Sequence, residues 1–227
     1  MPRDVRTYDH FCALARALER LGDRWTLLVV RDLMVGPRRF TDLMNRLGGI
    51  TPKTLSQRLR ELAEDGVVDV DREEGRREVW YRLTPAGEEL RPILEGLSAW
   101  GLRHARRPPL PGESVHPEHL LKALRNVFAR LAAPPRPLLW EFRFTDEGDY
   151  RLVFDGTEWA LHDSAADAPA DVVIRATRDE WARFVLSPPE KRADTVQALE
   201  LTGTKREVDR FLGFLERFPD AASTPGV

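Results

Sequence analysis

The stretch from Gly36 to Leu83, GPRRFTDLMNRLGGITPKTLSQRLRELAEDGVVDVDREEGRREVWYRL, constrains this chain more than any other. Phe40, Leu43, Met44 and Leu47 fall at i, i+3, i+4 and i+7, which predicts a helix with one apolar face. Gly48 and Gly49 end it, because glycine enters the left-handed conformation cheaply. Thr51-Pro52 then opens a second helix: the threonine caps free backbone N–H groups and proline suits the first helical position. Ile50 and Leu55 bracket that cap as a hydrophobic staple. Leu55, Leu59 and Leu62 form the buried face; Lys53, Gln57 and Arg60 lie opposite, flanked by Thr54, Ser56 and Glu61. After Gly66, Val67–Val70 and Glu78–Leu83 alternate as a two-stranded hairpin whose tip holds Arg72, Gly75, Arg76 and Arg77. Helix, turn, helix and basic ribbon together make a winged helix-turn-helix, which seats its second helix in a DNA groove. The expected contacts are Arg38, Arg39, Thr51, Lys53, Thr54, Ser56, Gln57, Arg60, Arg72, Arg76 and Arg77. The competing reading is an ordinary helical pair with a solvated, charged hairpin.

Net charge tests the nucleic-acid reading. The whole chain of 227 residues carries −2, but residues 1–107 hold 20 basic and 17 acidic residues, a net of +3, and the remainder holds −5. The basic excess sits with the helix-turn-helix and is small, so the placement of individual arginines carries the argument. No apolar run is long enough to span a bilayer, which takes about 20 residues. The opening MPRDVRTYDH lacks a signal-peptide core, and a single cysteine forms no internal disulfide; a cytoplasmic protein without a membrane partner is expected.

Before the central stretch, Phe11, Leu14, Ala15, Leu18 and Leu21 predict an amphipathic helix ending at Gly22. Asp23 is placed to cap the next helix, which turns Trp25, Leu28, Val29 and Leu33 inward. Cys12 and LGDRWTLLVVRDLMVGPRRFTDLMNRLGGITPKTLSQRLRELAEDGVV, then YRLTPAG and LRPIL with LSAWG, resemble the HxlR family of bacterial winged-helix regulators over about the first 105 residues. Cys12 keeps the family spacing of thirteen residues before Trp25; Ala13 stands where the family often has proline, and Arg24 where it often has lysine. The resemblance implies a homodimer on a palindromic operator, usually as a repressor. It also offers Cys12 as a redox or electrophile sensor, against the reading of a small buried hydrophobe in an amphipathic helix. Thr84-Pro85 opens a helix bearing Leu90, Ile93, Leu94 and Leu97 and ending near Trp100-Gly101, a candidate dimer seam.

Residues 105–117 form a proline-rich linker, which sets domains at 1–104 and 118–227. Beyond it, Leu120 to Leu131 predict a helix. Trp140, Phe142 and Phe144 alternate with Glu141, Arg143 and Thr145 as a half-buried strand, followed by strands at Tyr150–Phe154, Trp159–Leu161, Asp171–Arg175 and Ala198–Leu201. Thr177 with Glu180 and Thr204 with Glu207 open two further helices as capping boxes. The expected class is a mainly α winged helix-turn-helix followed by an α+β layer, an antiparallel meander with helices on one face. EFRF, FDG, ADVVIRAT and LELTGTKREVDRFLGFL resemble a sterol carrier protein type 2 domain over about residues 117–218. That resemblance implies an apolar tunnel taking a hydrophobic small molecule, with Trp140, Phe142, Phe144, Phe154, Trp159, Trp181, Phe184 and Phe211 as its lining. SPPEKRADTVQ, from Ser187 to Gln197, departs from it by being polar and proline-broken.

No glycine-rich phosphate loop, nucleophile elbow or paired catalytic carboxylates stand out, so no enzyme and no cofactor are expected. His116 and His119 lack the cysteine or carboxylate cluster of a metal site. Three readings stay open: a DNA-binding regulator with an apolar effector, a regulator whose second domain is structural or dimerising, and a lipid carrier or enzyme accessory with a winged helix that binds no DNA.

Overall fold

The computed structural model describes residues 7–72, 78–105, 107–163 and 169–217. The chain divides into two compact units between Gly96 and Leu97.

In the first unit, α1 (Ala13–Leu21) and α2 (Thr26–Leu33) precede a two-residue strand β1 (Arg38–Arg39), then α3 (Phe40–Leu47) and α4 (Pro52–Glu64). β2 (Val68–Asp71) and β3 (Trp80–Leu83) form the hairpin, and β1 adds to it in the order β1-β3-β2, all antiparallel. β1 was not expected, because Pro37 and two arginines give no alternation to detect. The core joins Val29, Val30 and Leu33 of α2, Leu43 and Leu47 of α3, and Leu55, Leu59 and Leu62 of α4. Burying each of those leucines contributes about 1.5–3 kcal/mol, so the phase of α4 is set by its apolar edge.

Beyond the hairpin, α5 (Pro85–Glu88) and α6 (Arg91–His104) replace the single helix expected from Pro85 to Trp100, and α6 runs through Gly101. Thr84 sets where α5 begins. Its Oγ1 donates to the Gly66 carbonyl at 2.6 Å and accepts from the Gly87 N–H at 3.1 Å. A Cβ on Gly87 would stand 2.3 Å from the Val67 carbonyl oxygen, so glycine is required where α5 crosses the root of the hairpin.

Two expectations for apolar stripes are corrected. α1 starts one residue after Cys12, so Phe11 precedes the helix and is 95% exposed, with Leu14 and Leu18 also exposed. On α6, Leu94 is a core residue; the exposed stripe is Ile93, Leu97 and Trp100, at 60%, 53% and 53%.

The second unit contains α7 (Pro117–Phe128), β4 (Leu138–Phe144), β5 (Asp149–Phe154), β6 (Trp159–His162), β7 (Val172–Ala176), α8 (Arg178–Leu186), α9 (Pro189–Thr195), β8 (Glu200–Gly203) and α10 (Lys205–Glu216). Pro117, assigned to the linker from sequence, is the first residue of α7. The sheet order is β6-β5-β4-β7-β8, and β4 pairs with β7 in parallel. The expected antiparallel meander is therefore corrected to a mixed sheet. Alternation reports which face a residue takes, not which strand lies beside it.

On β4, Leu138, Trp140, Phe142 and Phe144 are buried, and the three aromatic side chains meet rings from α7, α8 and α10. Glu141, expected to face solvent, is buried as well and accepts two N–H bonds at 3.1 Å from Arg143. The turn after β5 is held by Asp155, whose Oδ1 accepts from the N–H groups of Thr157 and Glu158 at 2.7 and 2.9 Å and from the Thr157 hydroxyl at 2.7 Å. Bonding from Glu158 first, then Thr157, lowers its carboxyl to about 2.

A carboxyl depressed in the folded state stabilises above its unfolded value of about 3.9 and loses that effect as pH falls through the folded value. The stability advantage of wild type over Asp155→Ala, measured by urea unfolding, should be full near pH 6 and should shrink between about pH 4 and pH 2.

Candidate nucleic-acid interface

The geometry of α4 follows from its two ends. Thr51 Oγ1 accepts the Thr54 N–H at 3.2 Å and lies 2.8 Å from the Thr54 hydroxyl, while Pro52 occupies the first turn. Gly48 and Gly49 make the preceding turn with φ of 38° and 79°. With Leu55, Leu59 and Leu62 buried, the 3.6-residue period sends Lys53, Ser56 and Arg60 to the exposed side. Gln57 is half-buried and donates through Nε2 to Glu61 at 3.0 Å.

Arg58, which the sequence did not single out, braces the flank. It pairs with Glu61 at 2.8 Å and Asp23 at 3.6 Å. Asp23 also accepts the Trp25 N–H at 2.9 Å, in place of the helix cap expected of it.

The remaining expected contacts divide by position. Lys53, Arg60 and Arg72 are exposed and make no ion pair among the described residues. Arg38 is half-buried on β1. Arg39 is committed to Asp42 and Glu78 at 3.3 and 2.8 Å. Arg76 and Arg77 lie outside the described residues. Exposed cations beside amide and hydroxyl donors suit phosphate contact and base-edge bonding respectively.

Behind this surface lies Asp32, fully buried, with Arg46 Nε at 3.3 Å and Arg31 Nη2 at 3.0 Å. Arg46 belongs to α3, so the carboxylate ties α2 to the helix-turn-helix. Its signal was an acid at an inward position of an otherwise apolar helix, TLLVVRDL.

Cys12 is exposed, not the small buried hydrophobe expected, because it caps α1 instead of lying within it. The backbone N–H groups of Ala15, then Leu14, at the start of α1 face the thiol and lower it below the ordinary value, although none closes a capping hydrogen bond to it. Within neither unit do three metal-ligating side chains converge among the described residues. His116 Nδ1 lies 3.9 Å from Glu147 and His119 Nε2 4.0 Å from Glu118.

The eight residues expected to line an apolar pocket are all buried, and each ring meets another. Trp140 contacts Trp159 at 5.1 Å and Phe211 at 5.1 Å between centroids; Phe142 contacts Trp181 at 5.0 Å; Trp181 contacts Phe184 at 5.9 Å; Phe144 contacts Tyr150 at 6.0 Å; Phe154 contacts Trp159 at 5.3 Å. Among the described residues the indole nitrogens of Trp140 and Trp181 meet no hydrogen-bond acceptor.

The sequence profile described as HxlR-like helix-turn-helix matches residues 20–108. Rv3095 of Mycobacterium tuberculosis, an uncharacterized HTH-type transcriptional regulator, is 43% identical over 102 residues, 44% of this chain and 63% of its own length. This chain thus spans less than two thirds of that relative. YkvN of Bacillus subtilis, also an uncharacterized HTH-type transcriptional regulator, is 38% identical over 112 residues, 48% of this chain and 95% of its own. Among solved structures, the reduced form of the transcriptional regulator YodB from B. subtilis aligns with a TM-score of 0.38 and 31% identity, over 42% of this chain and 95% of its own.

The cap sets the helix, and the helix sets the surface. Thr51→Ala should therefore lower the stability of the first unit by about 1 kcal/mol, within a range of roughly 0.5–2, in denaturant unfolding followed by probes in residues 20–96.

Proposed function

We propose that this chain, which belongs to the HxlR-like helix-turn-helix family through residues 20–108, is a sequence-specific DNA-binding transcriptional regulator that acts as a homodimer. One observation carries the reading: α4 is capped and pressed into the core so that Lys53, Ser56, Gln57 and Arg60 share its outer side beside a β-hairpin. In this reading Gln57 and Arg60 reach base edges. Thr51, Lys53, Thr54 and Ser56 serve phosphates and flanking bases, and Arg38 with the hairpin residues Arg72, Arg76 and Arg77 serves the backbone. Repression is the sign that the resemblance to the HxlR family implies.

The dimer is supported by two exposed apolar stripes: Phe11, Leu14 and Leu18 around α1, and Ile93, Leu97 and Trp100 on α6. A second copy covering them removes apolar area from water and places two α4 helices about 34 Å apart, one DNA turn. For the second unit, the mutual ring contacts support a core role for its aromatic residues over a sensor pocket for an apolar molecule. The expected domain division, with 1–104 for DNA and 118–227 for the second fold, belongs to the same proposal.

Two measurements test this. Against a duplex enriched by the wild-type protein from a random library, Gln57→Ala or Arg60→Ala should each cost about 1–3 kcal/mol if the residue reads a base. Undiminished affinity in the Lys53, Gln57 and Arg60 triple alanine variant would reject the assignment. Sedimentation at micromolar concentration should show a dimer in the wild type and a shift to monomer in Leu97→Arg with Leu14→Arg; a wild-type monomer would reject the second copy.

A further inference from the structure

One guanidinium joins the wing to the helix-turn-helix. Arg39 lies in β1 directly opposite Trp80 of β3 and immediately precedes α3. Its Nη1 donates to Glu78 Oε1 at 2.8 Å, and its Nε donates to Asp42 Oδ2 at 3.3 Å. The Arg39 backbone N–H donates to the same Asp42 oxygen at 3.0 Å, and Cζ stands 5.5 Å from the centre of the Trp80 ring. A single side chain thus touches the first turn of α3 and two residues at the start of the returning hairpin strand.

We propose that Arg39 is a positioning residue that fixes the wing against α3, and that it is not a phosphate ligand. The inference rests on the DNA-binding reading and deepens it, by separating residues that touch DNA from one that aims them. Three observations support it. The planar fork is already engaged by two carboxylates, so it offers a phosphate little uncompensated charge. Lys53, Arg60 and Arg72 make no ion pair among the described residues, so the cations available to phosphate lie elsewhere on the same surface. Glu78 is an exposed carboxylate at the root of the wing, where it would repel DNA. Its placement is accounted for if it holds Arg39.

The ionisation states agree with this geometry. Hydrogen bonds to Asp42, then to Glu78, hold the guanidinium above its ordinary value. Burial opposes ionisation of Asp42, but the Arg39 N–H and guanidinium outweigh it and leave the carboxyl below the usual range. Each pair is half-exposed and would be weak alone; the clasp depends on several contacts sharing one rigid fork.

The test uses the full chain, a duplex that the wild-type protein enriches from a random library, and the variants Arg39→Gln, Arg39→Lys, Glu78→Gln and the Arg39→Gln, Glu78→Gln double. The clasp predicts that Glu78→Gln weakens binding about threefold, although it removes a negative charge near DNA. It predicts that Arg39→Lys, which keeps the charge and loses the fork, behaves like Arg39→Gln, and that the double variant is no weaker than Arg39→Gln. The dependence of log affinity on log salt should be the same in all four. Equal or tighter binding by Glu78→Gln would overturn the proposal. So would rescue by Arg39→Lys together with a salt slope reduced by about one unit in Arg39→Gln, the signature of a lost phosphate contact.

Backbone hydrogen exchange on the free protein gives a second arm. Exchange in β1 and β3 should quicken in Glu78→Gln, and unchanged exchange would also overturn the clasp. Failure to enrich any duplex would count against the regulator reading alone, with the exchange comparison still deciding the clasp.

Discussion

The burial of Leu55, Leu59 and Leu62 against α2 and α3 is the contact on which the rest of the first unit depends. Those three positions fix the rotation of α4 about its axis, and a turn of 3.6 residues leaves no freedom in where Lys53, Ser56 and Arg60 point. The Thr51 cap fixes where the helix begins, and the Gly48-Gly49 turn fixes its approach. An exposed polar face on a short helix is ordinary in itself. Here it is locked by core packing on one side, by Arg58 along the flank and by the Asp32–Arg46 pair behind. Preorganisation of that kind allows side chains to discriminate bases without first paying to order the helix.

Most of the first unit was legible because its signals are local. Periodicity gave α3 and α4, glycine gave the turn, and Thr51-Pro52 gave the cap. The contact between the Thr84 hydroxyl and the Gly66 carbonyl is different: it spans 18 residues, and nothing within TPAG announces it. The clasp by Arg39 was illegible for the same reason, since Glu78 and Trp80 lie about forty residues further on. The sequence offers Arg39 as a DNA contact because it shows a cation without its partners, and those partners are what the proposed clasp rests on. The apolar stripes of α1 and α6 were visible too, but which residues were core and which were exposed depended on a helix start at Ala13 and on the break between α5 and α6.

In the second unit, alternation placed Trp140, Phe142 and Phe144 on the inner face, and the Thr177–Glu180 and Thr204–Glu207 signals placed the starts of α8 and α10. Pairing was not legible: β7 lies beside β4 and not beside β6, the strand before it in sequence. The polar segment that departed from the sterol carrier pattern is α9, and its Arg192 is buried, donating to the carbonyls of Val185 and Leu215. A buried arginine satisfying helix-end carbonyls reads in sequence as a solvated charge, which is why that helix was missed.

The central claim is that the outer face of α4 reads sequence. The direct measurement is to select duplexes from a random library with the wild-type chain and, in parallel, with the Gln57→Ala, Arg60→Ala double variant, and to compare the enriched sequences. The account predicts that the variant loses preference at particular positions of each half-site while its salt-dependent affinity for random DNA is little changed, because the phosphate contacts remain. Enrichment of the same sequences by both proteins would show that specificity comes from elsewhere and would contradict the account.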